Sequence, residues 1–183
     1  MSGGTVVKIY LDNNIVSGMS RGDLEETEMD AVRQIEAAEQ RGELETLTSR
    51  ETWREQDRTR DPAVRSQLEE DRKSVPLVDH DHVMLGSRAL YDNQGNWYGN
   101  SPMLTEVVDK ELLDALKSAG LKDADARHFM YAVHNGCDRF LTTDPDFLDR
   151  RPQLEALGRG ILIQRPSELR PNCSPPVGPT AAT

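Results

Sequence analysis

Carboxylates stand beside short apolar runs at four separate places in this chain, a pattern suited to holding a hard cation. Asp12 follows residues 6–11, a β-branched and aliphatic run that reads as a buried strand. In the segment LTSRETWREQ, Glu51 and Glu55 lie one helical turn apart on one face, behind Ser49, a good N-cap residue. Asp123 and Asp125 open KDADARHFMYAVHNG, and two positions apart on a helix they diverge by about 200°, so they cannot both face one site. Asp144 precedes Pro145, a favourable N-cap and first-turn pair, and a carboxylate that caps with one oxygen keeps the other for an ion.

Each acid also has a bland reading: an Asx turn at Asp12 and Asn13, a solvated helix around Glu51 and Glu55, caps at Asp123 and Asp144. Brought together at one strand edge, however, four carboxylates repel one another, and some protonate unless a cation joins them. Mg²⁺ or Mn²⁺, hard ions that accept a few carboxylates and keep several waters, resolve that repulsion. Such an ion lowers the pKa of bound water and steadies a phosphodiester during in-line displacement. No Ser, Cys or His nucleophile is then required.

The elements that must position these acids follow from periodicity. A helix is predicted over 24–41, ending at Gly42, then a strand over 44–48 and a long charged helix to Lys73 that Pro62 kinks or splits. A strand is expected within 76–85, and YDNQGNWYGNSP reads as a loop. Leu104, Val107, Val108, Leu112, Leu113 and Leu116 make one helical face closed by Gly120, and a further helix starts at Asp123 as its cap. Residues 139–142 and 160–163 are strands, with a short helix after Asp144. This order describes an α/β sandwich with a mostly parallel sheet of four or five strands flanked by helices, whose ligands sit at the carboxyl ends of the strands.

At 183 residues and 36% hydrophobic content the chain supports one core. The expected organisation is a domain over 1–170 and a disordered Pro-rich tail over 171–183, since the stretch from Pro166 holds five of the ten prolines. No apolar run approaches the ~18 residues of a membrane span, and the start lacks the layout of a secretory signal, so a soluble cytoplasmic protein is expected. Cys137 and Cys173, with no CxxC pattern, support neither a disulfide scaffold nor a structural zinc site. The net charge of −10 disfavours a polyanionic partner until it is located: residues 22–46 hold nine acids against Arg33 and Arg41, a local charge of −7.

The ordered set of acids resembles the PIN domain, a family of metal-dependent ribonucleases that includes the VapC-type toxins of bacterial toxin–antitoxin pairs. Asp12 and Asn14 match its opening. Ser49 with Thr52-Trp53-Arg54-Glu55 matches its second acid, Asp125-Ala126-Arg127-His128 its third, and the segment from Gly136 through Asp138 and Thr142 to Asp144 its fourth. The resemblance covers residues 5–168 and implies a three-layer sandwich. It favours Glu55 over Glu51 and Asp125 over Asp123. It implies Asp12, Glu55, Asp125 and Asp144 as metal ligands, Asp146 as an auxiliary acid, and Asn14, Ser49 and Thr142 as the groups that orient them. The implied activity is Mg²⁺- or Mn²⁺-dependent endoribonuclease cleavage of RNA, with an antitoxin protein and a homodimer as further partners of the toxin members.

Other residues carry weaker signals. His80-Asp81-His82 offers alternate ligands on a strand, but two ligands do not make a zinc site. His128 and His134 read as helix residues. Arg50, Arg54 and Arg58 form a stripe that could grip phosphate, with solvated ion pairs as the simpler reading. Trp97 and Tyr98 could stack on bases or pack back on the domain. Rival readings are an inactive PIN-like binding module, a phosphohydrolase, which would want an acid where Asn14 stands, and a receiver domain, which would want adjacent acids and a late Lys. The acidic 22–46 stretch is expected to dock a protein partner while RNA enters over the Arg50 to Arg58 side.

Overall fold

A computed structural model describes residues 6–169. Its centre is a four-stranded parallel sheet in the order β2 (Leu44–Leu47), β1 (Val7–Leu11), β5 (Arg139–Leu141), β6 (Leu162–Gln164). Alternation along the strands divides the core in two. Ile9 and Leu11 of β1 and Leu141 of β5 face α1 (Asn13–Arg21) and α2 (Glu26–Gln40), where Ile15, Val16, Val32 and Ile35 are buried. Tyr10, Phe140 and Ile163 face the opposite way, against α5 (Lys110–Ser118), α6 (Asp123–His134), α7 (Pro145–Leu148) and α8 (Arg151–Leu157). Helices therefore cover both faces of the sheet, giving the three-layer α/β architecture expected. Connections from β1 lead toward β2 on one side and from β5 toward β6 on the other, so the strand order reverses between β1 and β5. The crevice beyond their carboxyl ends is the natural ligand position of such a sheet.

Several elements differ from the sequence expectation. Residues 13–21 form α1 although Asn, Ser and Gly are poor helix formers. Capping by Asp12, burial of Ile15 and Val16, and the left-handed Gly22 (φ 66°) impose it. The long charged helix is two, α3 (Arg50–Asp57) and α4 (Pro62–Asp71), because Asp61 caps the second with Pro62 in its first turn. Residues 76–78 only bridge to Thr48, and the strand lies later: β3 (Val83–Tyr91) pairs antiparallel with β4 (Trp97–Thr105). The segment read as a loop is thus the turn and return strand of a hairpin, closed by Asp92, whose carboxylate accepts the backbone N–H groups of Gln94 and Asn96 at 2.8 Å. Leu104 belongs to β4, and α5 starts only at Lys110, capped by Asp109. Lys122, not Asp123, occupies the N-cap of α6.

A buried carboxylate ties the end of the fold to its beginning. Glu28 of α2 accepts from the backbone N–H of Ser167 at 2.9 Å and from its hydroxyl at 2.7 Å, holding the 3-10 turn Pro166–Glu168 that follows β6. Cys137 is a buried free thiol, pushed up to about 12 by burial. Among the described residues no helix is long and apolar enough to cross a membrane. The tail at 171–183, including Cys173, and the side chain of Tyr98 lie outside the described residues.

Candidate metal centre

Asp12 emerges from β1 directly into the N-cap of α1, where its carboxylate accepts the N–H of Asn13 at 2.8 Å. Its other oxygen accepts the hydroxyl of Thr142 at 2.7 Å, one residue beyond β5. Thr142 is fully buried, and its oxygen in turn accepts from Asn14 Nδ2 at 2.9 Å and the N–H of Asp144 at 3.0 Å. One threonine therefore locks the ends of β1 and β5 together and sets the start of the turn that carries Asp144. Burial raises the Asp12 pKa, with the His128 charge, the Thr142 hydroxyl and the Asn13 N–H working against that rise.

Asp144 caps α7 through the N–H of Asp146 at 2.7 Å, which occupies one of its two oxygens. Asp125 projects from the first turn of α6 toward the same place. Carboxylate oxygens of Asp125, Asp144 and Asp146 lie within 4.8 Å of one another, so these three could hold a metal ion. Asp125 Oδ2 is buried and has no hydrogen-bond partner among the described residues. Burial, then the charges of Asp12 and Asp144, push the Asp125 carboxyl up to about 6. An unpartnered buried acid oxygen facing two further carboxylates is what a cation would satisfy.

Asp123 points elsewhere. It pairs with Lys117 at 2.8 Å and Arg127 at 2.7 Å, and those cations pull it down to about 2.

Glu55 lies outside that group of three and is reached by His128 Nε2 at 3.2 Å. His128, fully buried, meets the Tyr10 hydroxyl through Nδ1 at 2.7 Å, and Tyr10 donates to Ser49 at 2.6 Å. With the Tyr10 proton directed to Ser49, Nδ1 and Nε2 are both placed to donate, the arrangement that a charged imidazolium ring satisfies. Burial opposes that charge, but the carboxylates of Glu55, Asp12 and Glu51 outweigh it and hold His128 above its ordinary pKa. In the sequence, His128 reads only as a helix residue at the end of the Asp125-Ala126-Arg127-His128 match; its spacing of three from Asp125, which puts both on one helix face, is the signal for a place near the acids. Asp12, Glu55 and Asp144 all bear electrostatically on Asp125. The tight group nonetheless contains Asp146 and not Asp12, whose two oxygens are already engaged.

No family of known proteins, curated sequence or solved structure matches this chain.

Two of the three arginines of the stripe are committed to carboxylates. Arg50 pairs with the buried Asp81 at 3.1 Å, and Arg54 bridges Glu51 and Glu106. Both line a cleft of about 410 Å³ with His82, Leu104 and Tyr131 at the base of the hairpin. Arg58 is exposed at the end of α3. His82 binds Asp81 at 2.7 Å while His80 packs edge-on against His134, so the two histidines turn to different neighbours. The acids of α2 are partly structural: Glu28 holds Ser167, and Glu39 accepts from the N–H and hydroxyl of Thr46.

Proposed function

We propose that this chain is a PIN-type, divalent-metal-dependent endoribonuclease acting at the crevice between β1 and β5. The observation that carries the reading is the buried, unpartnered Asp125 oxygen beside Asp144 and Asp146, a donor set of oxygens alone that suits Mg²⁺ or Mn²⁺ better than a softer metal. A divalent ion held there supplies Lewis acidity, activating water and stabilising the charge on a phosphodiester as it is displaced.

The chain's own residues do the rest. Asp125, Asp144 and Asp146 would hold the ion, while Thr142 fixes the nearby Asp12 carboxylate. His128 clamps one Glu55 oxygen through Nε2 and is itself anchored by Tyr10, which restrains the Glu55 carboxylate. Because His128 is fully buried and both its nitrogens are engaged, it orients Glu55 and does not reach substrate. Thr142 and Asn14 tie the β1 and β5 sides of the crevice together by bonding across their junction. RNA as substrate, an antitoxin-like protein partner, a homodimer and a cytoplasmic location belong to this reading through the PIN resemblance.

The test is cleavage of a single-stranded RNA and of the matching DNA with Mg²⁺, with Mn²⁺ and with chelator. RNA cleavage that requires a divalent ion and disappears in Asp144→Asn, a variant whose amide oxygen retains the cap, supports the reading. Metal-independent cleavage, a fully active Asp144→Asn protein, or no cleavage of either polymer at any divalent concentration overturns it.

A further inference from the structure

The sequence nominated Arg50, Arg54 and Arg58 as phosphate contacts, but two of these are bound to carboxylates in a different cleft. The cations beside the three aspartates are others. Lys122 Nζ lies 3.2 Å from Asp146 Oδ2, and Arg150 NH1 lies 3.0 Å from Asp146 Oδ1. One carboxylate thus carries two cations, one more than its charge requires.

The two are not equivalent. Arg150 also donates to the Asp146 backbone carbonyl at 2.9 Å and lies against Gly120, where a Cβ would come within 3.3 Å of its Nε. Arg150 therefore has a second, backbone anchor on the Asp146 residue, which Lys122 lacks. Lys122 has a side chain 77% exposed, and Asp146 is its one ion-pair partner among the described residues. Its ammonium also feels the charges of Asp125 and Asp144.

We infer that Lys122 is the phosphodiester-gripping residue of this site, parked on Asp146 until a divalent ion and RNA arrive, while Arg150 holds Asp146 in position. The inference rests on the function proposed above. Its logic is a charge exchange. Once Asp146 shares an ion with Asp125 and Asp144, the carboxylate no longer needs two cations. The more exposed one, on a flexible stem, is released at the rim, where a phosphodiester brings a single negative charge. Lys122 and the ion thus compete for Asp146 in the absence of RNA and cooperate once RNA is bound.

Competition and cooperation predict effects of opposite sign, which a merely structural lysine would not produce. In the full chain, Lys122→Gln should bind Mn²⁺ alone more tightly, by about 3- to 10-fold, because a neighbouring positive charge is gone. The same variant, with Ca²⁺ replacing Mg²⁺ and a phosphorothioate-protected single-stranded RNA as probe, should bind that RNA about 10-fold more weakly. Its plot of log affinity against log salt should be shallower by about 0.7, the value of one lost phosphate contact on a single strand. Lys122→Arg should restore the salt slope. Unchanged RNA affinity and slope in Lys122→Gln would reduce Lys122 to a counter-ion of Asp146 and overturn the inference, as would weaker Mn²⁺ binding. If wild-type protein cleaves RNA with a divalent ion but Lys122→Gln is neutral in both binding assays, only this inference fails. If wild-type protein neither binds Mn²⁺ nor cleaves RNA, the function proposed above fails and takes this inference with it.

Discussion

The β1–β5 crevice and the β3–β4 hairpin depart from ordinary protein surfaces in opposite senses. In the crevice, charged and polar groups are buried: Asp12, Thr142 and His128 are nearly or fully inaccessible, each held by a partner far away in sequence. In the hairpin, apolar groups are out in solvent, with Met84, Leu85, Tyr91 and Trp97 at least 60% exposed. Its two strands pair with each other and add no strand to the main sheet. Buried polar groups are costly unless satisfied, and of the six buried side-chain atoms without a partner among the described residues, Asp125 Oδ2 is the one that belongs to the three-aspartate group, which marks it as a ligand position. Exposed apolar groups have a lower energetic cost each, and the hairpin holds its shape through local pairing and the Asp92 turn. Chemistry is therefore concentrated in the crevice, whereas the hairpin can change with little effect on it.

The largest effect expected is from Asp125→Asn. Divalent-dependent cleavage should fall to background. The metal-free protein should gain about 1 kcal/mol above pH 6, after allowance for partial solvent exposure, or roughly 2–4 °C in Tm. The sign follows from linkage: the folded carboxyl, near 6, lies above its unfolded value of 3.8. Its stabilising contribution is complete below 3.8 and is lost as pH rises through 6. The neutral amide keeps what the carboxylate loses, so the two proteins should melt together near pH 4 and diverge at pH 8. Calorimetric melts at the two pH values check this, and equal Tm values at pH 8 would remove Asp125 from the acidic group. Metal binding has the same origin. Below pH 6 the affinity for Mn²⁺ should fall by about 10-fold per unit as one proton must leave, measured by titration calorimetry in buffers of different ionisation enthalpy.

Next in size are the groups that orient the acids. Thr142→Val removes the hydroxyl that Asp12, Asn14 and Asp144 share, and should weaken metal affinity about 10- to 100-fold. His128→Ala should destabilise the fold by about 2–4 kcal/mol, since it leaves a cavity and strands Tyr10 and Glu55 without their partner. Denaturant melts check the second value, and a loss below 1 kcal/mol would mean that the imidazole is not the hub described. The smallest effects belong to the hairpin: Met84→Ser or Leu85→Ser should shift stability by no more than about 0.5 kcal/mol and leave cleavage unchanged. A loss above 1 kcal/mol, or a change in RNA cleavage, would break the contrast between the two regions.

Legibility in the sequence follows the same divide. β1, β2, β5 and β6 are visible as short apolar runs, and helical geometry alone forbids Asp123 and Asp125 from sharing a face. The hairpin is not visible, because Gly86, Gly99 and Pro102 interrupt its strands and its pairing depends on the Asp92 side chain closing the turn. α1 is hidden by poor propensity and appears only once a cap and a sheet are present. The place of His128 could not be read because its partner, Glu55, lies 73 residues away. Lys122 is not legible because a cation gains meaning only from the acids around it, and those come from α6, the turn beyond β5 and α7.

The bond between Glu28 and Ser167 has a mechanical consequence. α2 belongs to the crossover between β1 and β2, whereas Ser167 follows β6 at the opposite edge of the sheet. The link therefore spans the sheet like a girth strap, in parallel with the short β1–β5 seam that registers only Ile9–Leu11 against Arg139–Leu141. Prising the two halves apart requires both the seam and the strap to yield, and a load on either half is shared between them. In Glu28→Gln the amide cannot serve both Ser167 donors as well as a carboxylate does, so the seam would bear more of the load. Opening of the halves, followed by amide exchange at Asp12 and Asp138, whose N–H groups bond across the seam to Leu141 and Lys8, would then quicken before the helices exchange.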